Sequence, residues 1–289
     1  MRRRYLLFTV FVMAGTAGCG QEEFCLEQKM AGDTVYYMDE HSSRTDEPLI
    51  ILCHGLGGSH RDMEQAAPDP RLVEVFQLNF YSRGYAVITF DLYGHEERDY
   101  GRDIYIHEMI TGSTEKVEEI LKDVGQMEVC NADRFGMYGV SLGGMVSFYM
   151  GAFGDAAPEI IISMAASPDL EDIFCRALDY VPGKWSVVEK NLAGLSDEEK
   201  EKEILWAEDN NPVVLTQKLA QIPVIMVNGA DDEYMSIELV RDYKADAESL
   251  GGSVFLYENS HGTHGKLGDY HGEQILEMLP YIFPISDKG

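Results

Sequence analysis

A serine set among glycines, Gly139-Val140-Ser141-Leu142-Gly143-Gly144, is the place where this sequence is best equipped for chemistry. Serine is a weak nucleophile until a neighbouring base takes its proton. A strand-like run, Arg134-Phe135-Gly136-Met137-Tyr138, leads into the segment, and a helix-like one, Met145-Val146-Ser147-Phe148-Tyr149-Met150, leads out. In that setting Gly-x-Ser-x-Gly drives the serine through a tight turn and lifts its hydroxyl above the sheet. Glycines two residues to either side lack the Cβ atoms that would collide as strand and helix close. The N–H of Leu142 then stands at a helix N-terminus, where developing negative charge is favoured. The chemistry implied is hydrolysis at an activated serine.

With this elbow the chain resembles the alpha/beta-hydrolase family, whose parts run in the order nucleophile, acid, histidine. The resemblance implies an acid after a late strand. Pro223-Val224-Ile225-Met226-Val227-Asn228 is an apolar run of the buried parallel type, and it ends in Gly229-Ala230-Asp231-Asp232-Glu233. The family's acid stands three residues past such a glycine, which implies Asp232, with Asp231 as the fallback. Either residue also suits the cap of a helix starting near Ser236. The histidine is expected after the next strand, Ser253-Val254-Phe255-Leu256-Tyr257, in the loop Glu258-Asn259-Ser260-His261-Gly262-Thr263-His264. His261 holds the family's usual place as base, and His264 is its rival.

The oxyanion hole of the family takes one N–H from the elbow and another from a His-Gly loop after the third strand. Here Pro48-Leu49-Ile50-Ile51-Leu52-Cys53 is followed by His54-Gly55-Leu56-Gly57-Gly58. The implied donors are the N–H groups of Leu142 and Leu56, with Gly57 as the alternative to Leu56. His54 is assigned a loop-bracing hydrogen bond. The run Tyr85-Ala86-Val87-Ile88-Thr89-Phe90 ends in Asp91-Leu92-Tyr93-Gly94-His95, similar to the family's chiefly structural Asp-x-x-Gly loop. Tyr93 and His95 are candidates for the pocket edge, against a plain packing role.

Positioning these residues calls for an α/β fold with a mostly parallel central sheet flanked by helices. The resemblance covers about residues 33 to 284 as one domain. Asp33 to Met38 reads as an early antiparallel edge strand, and Glu159 to Ala165 as the sixth sheet strand. Helices are expected over Leu72 to Ser82, ending at Gly84, over about Thr114 to Met127, and over about His271 to Met278. The stretch of about residues 167–219 is far longer than a crossover helix needs. The family commonly inserts a helical cap there, after strand 6. Phe174, Leu178, Tyr180, Trp185, Trp206 and Leu215 offer the cap an apolar underside, and Trp185 and Trp206 are pocket candidates. The run Asp197-Glu198-Glu199-Lys200-Glu201-Lys202-Glu203 reads as a solvated helix face.

Asp plus Glu number 50 against 23 Lys plus Arg, a net charge of −27, which disfavours nucleic acid and anionic lipid as partners. A small-molecule ester is the expected partner. The triad needs no cofactor, and the cysteine spacings match no metal pattern.

Residues 1–18 read as a signal peptide. Arg2-Arg3-Arg4 is a positive start, Tyr5 to Ala14 is too short to span a bilayer, and small residues lead to Cys19. This resembles a bacterial lipoprotein signal, apart from Thr16 where leucine is usual. It implies an exported chain tethered through a lipidated Cys19, facing the outside or periplasm, with residues 19–32 as a leader.

The compact layout resembles the dienelactone-hydrolase-like and peptidase-S9-like esterase branches. Dienelactone hydrolases carry cysteine where Ser141 stands, so their particular reaction is not implied. The implied activity is carboxylic-ester hydrolysis. The alternatives are a small-peptide or amide hydrolase, or a non-catalytic exported binding lipoprotein.

Overall fold

The computed structural model describes residues 26–39, 47–60, 80, 83–95, 105–127, 130–178, 195–269 and 271–285. The expected helix over Leu72 to Ser82 (Phe80 and its backbone bonds apart), Tyr180, Trp185, Cys19 and the signal segment lie outside these residues.

Eight strands form one sheet in the order β1-β2-β4-β3-β5-β6-β7-β8. The central ones are short, apolar and buried on both faces: β3 (Pro48–Cys53), β4 (Ala86–Phe90), β6 (Ile160–Met164) and β7 (Val224–Gly229). They pair in parallel with one another, with β5 (Asn131–Val140) and with β8 (Val254–Asn259). Runs of Ile, Val, Leu and Met without alternation are what a sheet covered on both faces requires.

The antiparallel edge differs from the expectation. β2 (Thr34–Asp39) pairs on both sides, with β4 and with β1 (Leu26–Ala31), so β1 is the edge. It falls within the stretch read as leader, because Leu-Glu-Gln-Lys-Met-Ala has little apolar alternation to betray a strand.

Helices cover both faces. The helix α1 (Ile106–Met127) starts a full two turns before the expected Thr114, since Ile106, Met109 and Ile110 extend the buried stripe of Val117, Ile120, Leu121 and Val124. Gly112 lowers helix propensity midway through it. A side chain there would collide, because its Cβ would come 2.6 Å from Cγ of Tyr93. The helix α2 (Leu142–Phe153) leaves the elbow directly.

The region after β6 contains α3 (Leu170–Leu178), α4 (Asp197–Asp209), a 3-10 turn (Pro212–Leu215) and α5 (Thr216–Leu219). Then come α6 (Ile237–Ser249) and α7 (Gly272–Ile282). α7 runs past the expected Met278 and contains Pro280, which cannot donate to Leu276 O. The Arg83 guanidinium reaches that carbonyl at 3.5 Å instead. Among the described residues, Cys53 is a buried free thiol, and no helix is long and apolar enough to cross a membrane.

Most of the acidic run at the start of α4 is solvated as expected, with Asp197, Glu198, Glu201 and Lys202 exposed, and Glu203 is the exception. Ser196 and Glu199 form a capping box, and Tyr105 donates to Glu199 at 2.9 Å. Glu203 is fully buried, taking hydrogen bonds from the His107 ring and from the His107 N–H at 3.3 Å. Charge composition conceals this, because one carboxylate of the run, Glu203, turns inward to meet donors from another segment.

Candidate active site

The elbow is built by missing atoms. Ser141 has φ 52° and ψ −111°, a left-sided conformation that costs a non-glycine residue on the order of 1–3 kcal/mol. The neighbouring backbones hold it there: Ser141 N–H donates to Met164 O at 2.8 Å, and Ser141 O accepts from Met145 N–H at 3.0 Å. A Cβ on Gly139 would lie 2.1 Å from Gly143 O, and one on Gly143 would lie 2.1 Å from Cys53 O. Both glycines are therefore required by backbone contact, which ties α2 to β5 and to the end of β3.

The Ser141 Oγ lies 2.8 Å from Nε2 of His264. The other ring nitrogen, Nδ1, lies 3.0 Å from Oδ2 and 3.2 Å from Oδ1 of Asp232. With the hydroxyl donating to Nε2, the ring proton sits on Nδ1 and points at the carboxylate. Asp232 Oδ1 also accepts from the N–H groups of Tyr234 and Met235, each at 2.9 Å, and its side chain is wholly buried. The Tyr234 ring stands edge-on to the imidazole at 5.1 Å. Ser141, His264 and Asp232 thus form one connected line.

His261 is not part of that line. Its side chain is 93% exposed, with Nδ1 3.5 Å from Asp231 Oδ2. The choice between the two histidines is made by contacts distant in sequence. The loops after β7 and β8 press together at Gly229 and Gly262, where a Cβ on Gly229 would meet Gly262 O at 2.1 Å. Asp231 N–H donates to Gly262 O at 2.9 Å, and Gly262 N–H to Asn259 O at 3.0 Å. His261 precedes this joint and faces water. The chain then turns between Thr263 and Lys266, which exchange backbone hydrogen bonds of 3.0 and 3.1 Å, and the turn aims His264 at Ser141. The glycine after His261 and the tight turn beyond it were the signals available in the sequence.

The loop after β3 is braced by histidines. His54 Nδ1 donates to Gly55 O at 2.8 Å, while its Nε2 accepts the Leu92 N–H at 3.1 Å. This is the bracing role expected of His54. His95, buried at 3% exposure, accepts the Gly57 N–H at 3.1 Å. That bond engages Gly57 and leaves Leu56 as the candidate donor from this loop, opposite Leu142 at the first position of α2, where a helix N–H has no intrahelical acceptor.

Asp91 completes the brace by accepting from the backbone and ring of His60, at 2.6 and 2.8 Å. Burial alone would raise the Asp91 pKa, but the bonds from His60 outweigh it and hold the carboxyl below its usual range.

Three pocket candidates take other places. His95 is part of the loop brace. The Tyr93 ring lies on Gly112 of α1. Trp206 stacks with Tyr149 at 5.7 Å and Phe174 at 6.0 Å, and lies 5.4 Å from the His107 ring, so it packs α4 onto the body. Aromatic composition alone does not distinguish a cap's packing residues from its lining.

The order of strands, the elbow after β5, the acid after β7 and the histidine after β8 define the alpha/beta-hydrolase fold. A family model described as alpha/beta hydrolase fold matches residues 48–185. Among solved structures, the acylaminoacyl peptidase of Pyrococcus horikoshii is 13% identical with a TM-score of 0.64, covering 92% of this chain and 42% of the peptidase. Esterase Pf2001 of Pyrococcus furiosus is 15% identical with a TM-score of 0.60, over 90% of this chain and 93% of the esterase. Est1E of Butyrivibrio proteoclasticus, solved with ferulic acid bound, is 18% identical with a TM-score of 0.62, over 88% and 96%. No curated protein matches the chain.

Proposed function

We propose that this chain is a serine hydrolase that cleaves carboxylic esters through Ser141, His264 and Asp232. The observation that carries the reading is the 2.8 Å contact of Ser141 Oγ with a His264 ring whose other nitrogen faces a buried carboxylate. His264 Nε2 takes the hydroxyl proton as Ser141 attacks the ester carbonyl carbon. Asp232 fixes the tautomer and stabilises the imidazolium. The N–H groups of Leu142 and Leu56 receive the oxyanion, each such donor contributing on the order of 3 kcal/mol to lowering the barrier. The imidazolium returns its proton to the departing alcohol, and a water activated by His264 releases the acid from the acyl-enzyme.

Esters are favoured over peptides by extent of likeness. The two esterases are spanned almost end to end, whereas more than half of the peptidase has no counterpart here. The ferulic acid of Est1E makes hydroxycinnamate esters a sensible first panel beside short-chain esters.

Fluorophosphonate labelling read by intact mass tests the reading. Wild type and His261→Ala are expected to label at one site, and Ser141→Ala and His264→Ala to remain unlabelled. An unlabelled wild type would favour a binding protein. Faster turnover of N-acyl peptide anilides than of every ester would favour the amide alternative. We further propose export and lipidation at Cys19; a Cys19→Ser chain that keeps the wild-type diacylglycerol mass in its native membrane would refute this.

A further inference from the structure

Away from Ser141 lies a second histidine–carboxylate pair that the proposed reaction does not use. Glu203 sits in the middle of α4, fully buried, and receives both the ring Nδ1 and the backbone N–H of His107. His107 is the second residue of α1, so the carboxylate also takes an N–H that has no intrahelical acceptor at the helix start. One turn earlier on α4, Glu199 accepts from the Tyr105 hydroxyl at 2.9 Å. One turn later, Trp206 lies against the His107 ring at 5.4 Å. Three successive turns of α4 therefore grip residues 105–107. Besides Glu203, the charged group acting on His107 is Glu108 on its own helix, while Glu199 and Lys202 of α4 act on the neighbouring Tyr105; α2 presents Tyr149 and α3 presents Phe174 through the shared Trp206.

We propose that His107 and Glu203 form a proton-operated clasp that seats α4 on the head of α1 and, through the buried core they share, bears on the Ser141 site. The link to the site is physical: Ala207 of α4, Phe174 and Leu178 of α3, Leu142 beside the nucleophile and Tyr234 against His264 belong to one buried cluster. The effect on substrate choice rests on the hydrolase reading; the clasp itself does not.

The direction of the switch follows from His107. Its hydrogen bond to Glu203, working against the cost of burial, raises its pKa above the ordinary histidine value. A histidine raised by docking contributes fully to docking below its undocked pKa, and that contribution is lost as pH rises through the docked value. Above that point the buried carboxylate keeps a neutral donor but no counter-charge. α4 is therefore held most tightly on α1 in mild acid and loosens toward alkaline pH.

The indole beside His107 reports its protonation, since an imidazolium against an indole quenches its emission. Trp185 and Trp206 are the chain's two tryptophans, so Trp185→Phe leaves Trp206 as sole reporter. Between pH 5 and 9 we expect emission to rise with a midpoint above about 6.5, the ordinary histidine value. His107→Gln should abolish the step, and Glu203→Gln should move its midpoint to 6.5 or below. Amide exchange of residues 197–209, corrected for intrinsic rates, should quicken several-fold across the same midpoint. It should be pH-independent in His107→Gln.

With p-nitrophenyl acetate and a bulky feruloyl ester, the ratio of kcat/KM should shift toward the bulky ester as pH rises in wild type and stay flat in His107→Gln. A step unchanged by Glu203→Gln, or exchange that ignores pH in wild type, overturns the clasp. His107→Gln keeps an amide donor for Glu203 and serves if Glu203→Gln does not fold. An inactive wild type with intact emission and exchange steps would sink the hydrolase reading and leave the clasp standing.

Discussion

Two histidines stand three residues apart in one loop, each facing one of two adjacent aspartates in another, and they meet opposite fates. His264 faces Asp232 at 3.0 Å with the acid wholly buried, while His261 faces Asp231 at 3.5 Å with its own ring 93% exposed. The residue types are identical, so type carries no information about which pair can do work. What separates them is confinement. Asp232 is fixed by the N–H groups of Tyr234 and Met235, and His264 by its carboxylate, its serine and the Tyr234 ring. An exposed pair is screened by water and contributes little; a confined one holds a tautomer and an orientation.

The sharpest way to break the comparison is to remove each histidine. His264→Ala and Ser141→Ala are expected to lower ester kcat by roughly four to six orders of magnitude, the range seen when a triad loses its nucleophile or base. Steady-state kinetics with an active-site titrant checks this, and a His264→Ala enzyme retaining a tenth of wild-type kcat would refute the assignment. Asp232→Asn should cost about 10⁴-fold while leaving the fold intact, because the amide favours the wrong tautomer. Asp231→Asn should leave kcat unchanged, and equal losses in the two variants would erase the distinction.

Gly229→Ala tests the joint between the two loops. Its Cβ would press on Gly262 O, shifting His264 relative to Ser141. A displacement near 1 Å is worth about 10²-fold in rate. The expected result is that loss in kcat at little-changed fluorophosphonate accessibility, together with a stability loss of about 1–3 kcal/mol in urea unfolding. Smallest of all, His261→Ala should stay within about 0.5 kcal/mol of wild-type stability, with kcat within twofold.

Much of the scaffold was legible because its signals are local. Four apolar runs become parallel strands within a residue or so of their expected ends, since a strand buried on both faces favours apolar side chains throughout. The elbow was equally readable, because its glycines answer to backbone collisions inside one short segment. The misreadings have long-range causes. His264 prevails through a glycine contact between loops more than thirty residues apart. Glu203 is buried by donors from the start of α1, nearly a hundred residues earlier. β1 is a strand because β2 offers it an edge, and Trp206 is a packing residue because α2 and α3 bring Tyr149 and Phe174 beneath it. Periodicity sees neighbours along the chain, and each of these depended on neighbours across it.

The backbone-only contacts at Gly139 and Gly143 have a consequence for sequence drift. The junction asks a chain for two absent Cβ atoms and specifies nothing about the side chains around them. Chains sharing only 13–18% of their residues can therefore superpose over about nine-tenths of this one. The heritable information that holds such a centre in place is small, and most of it is written as the smallest residue.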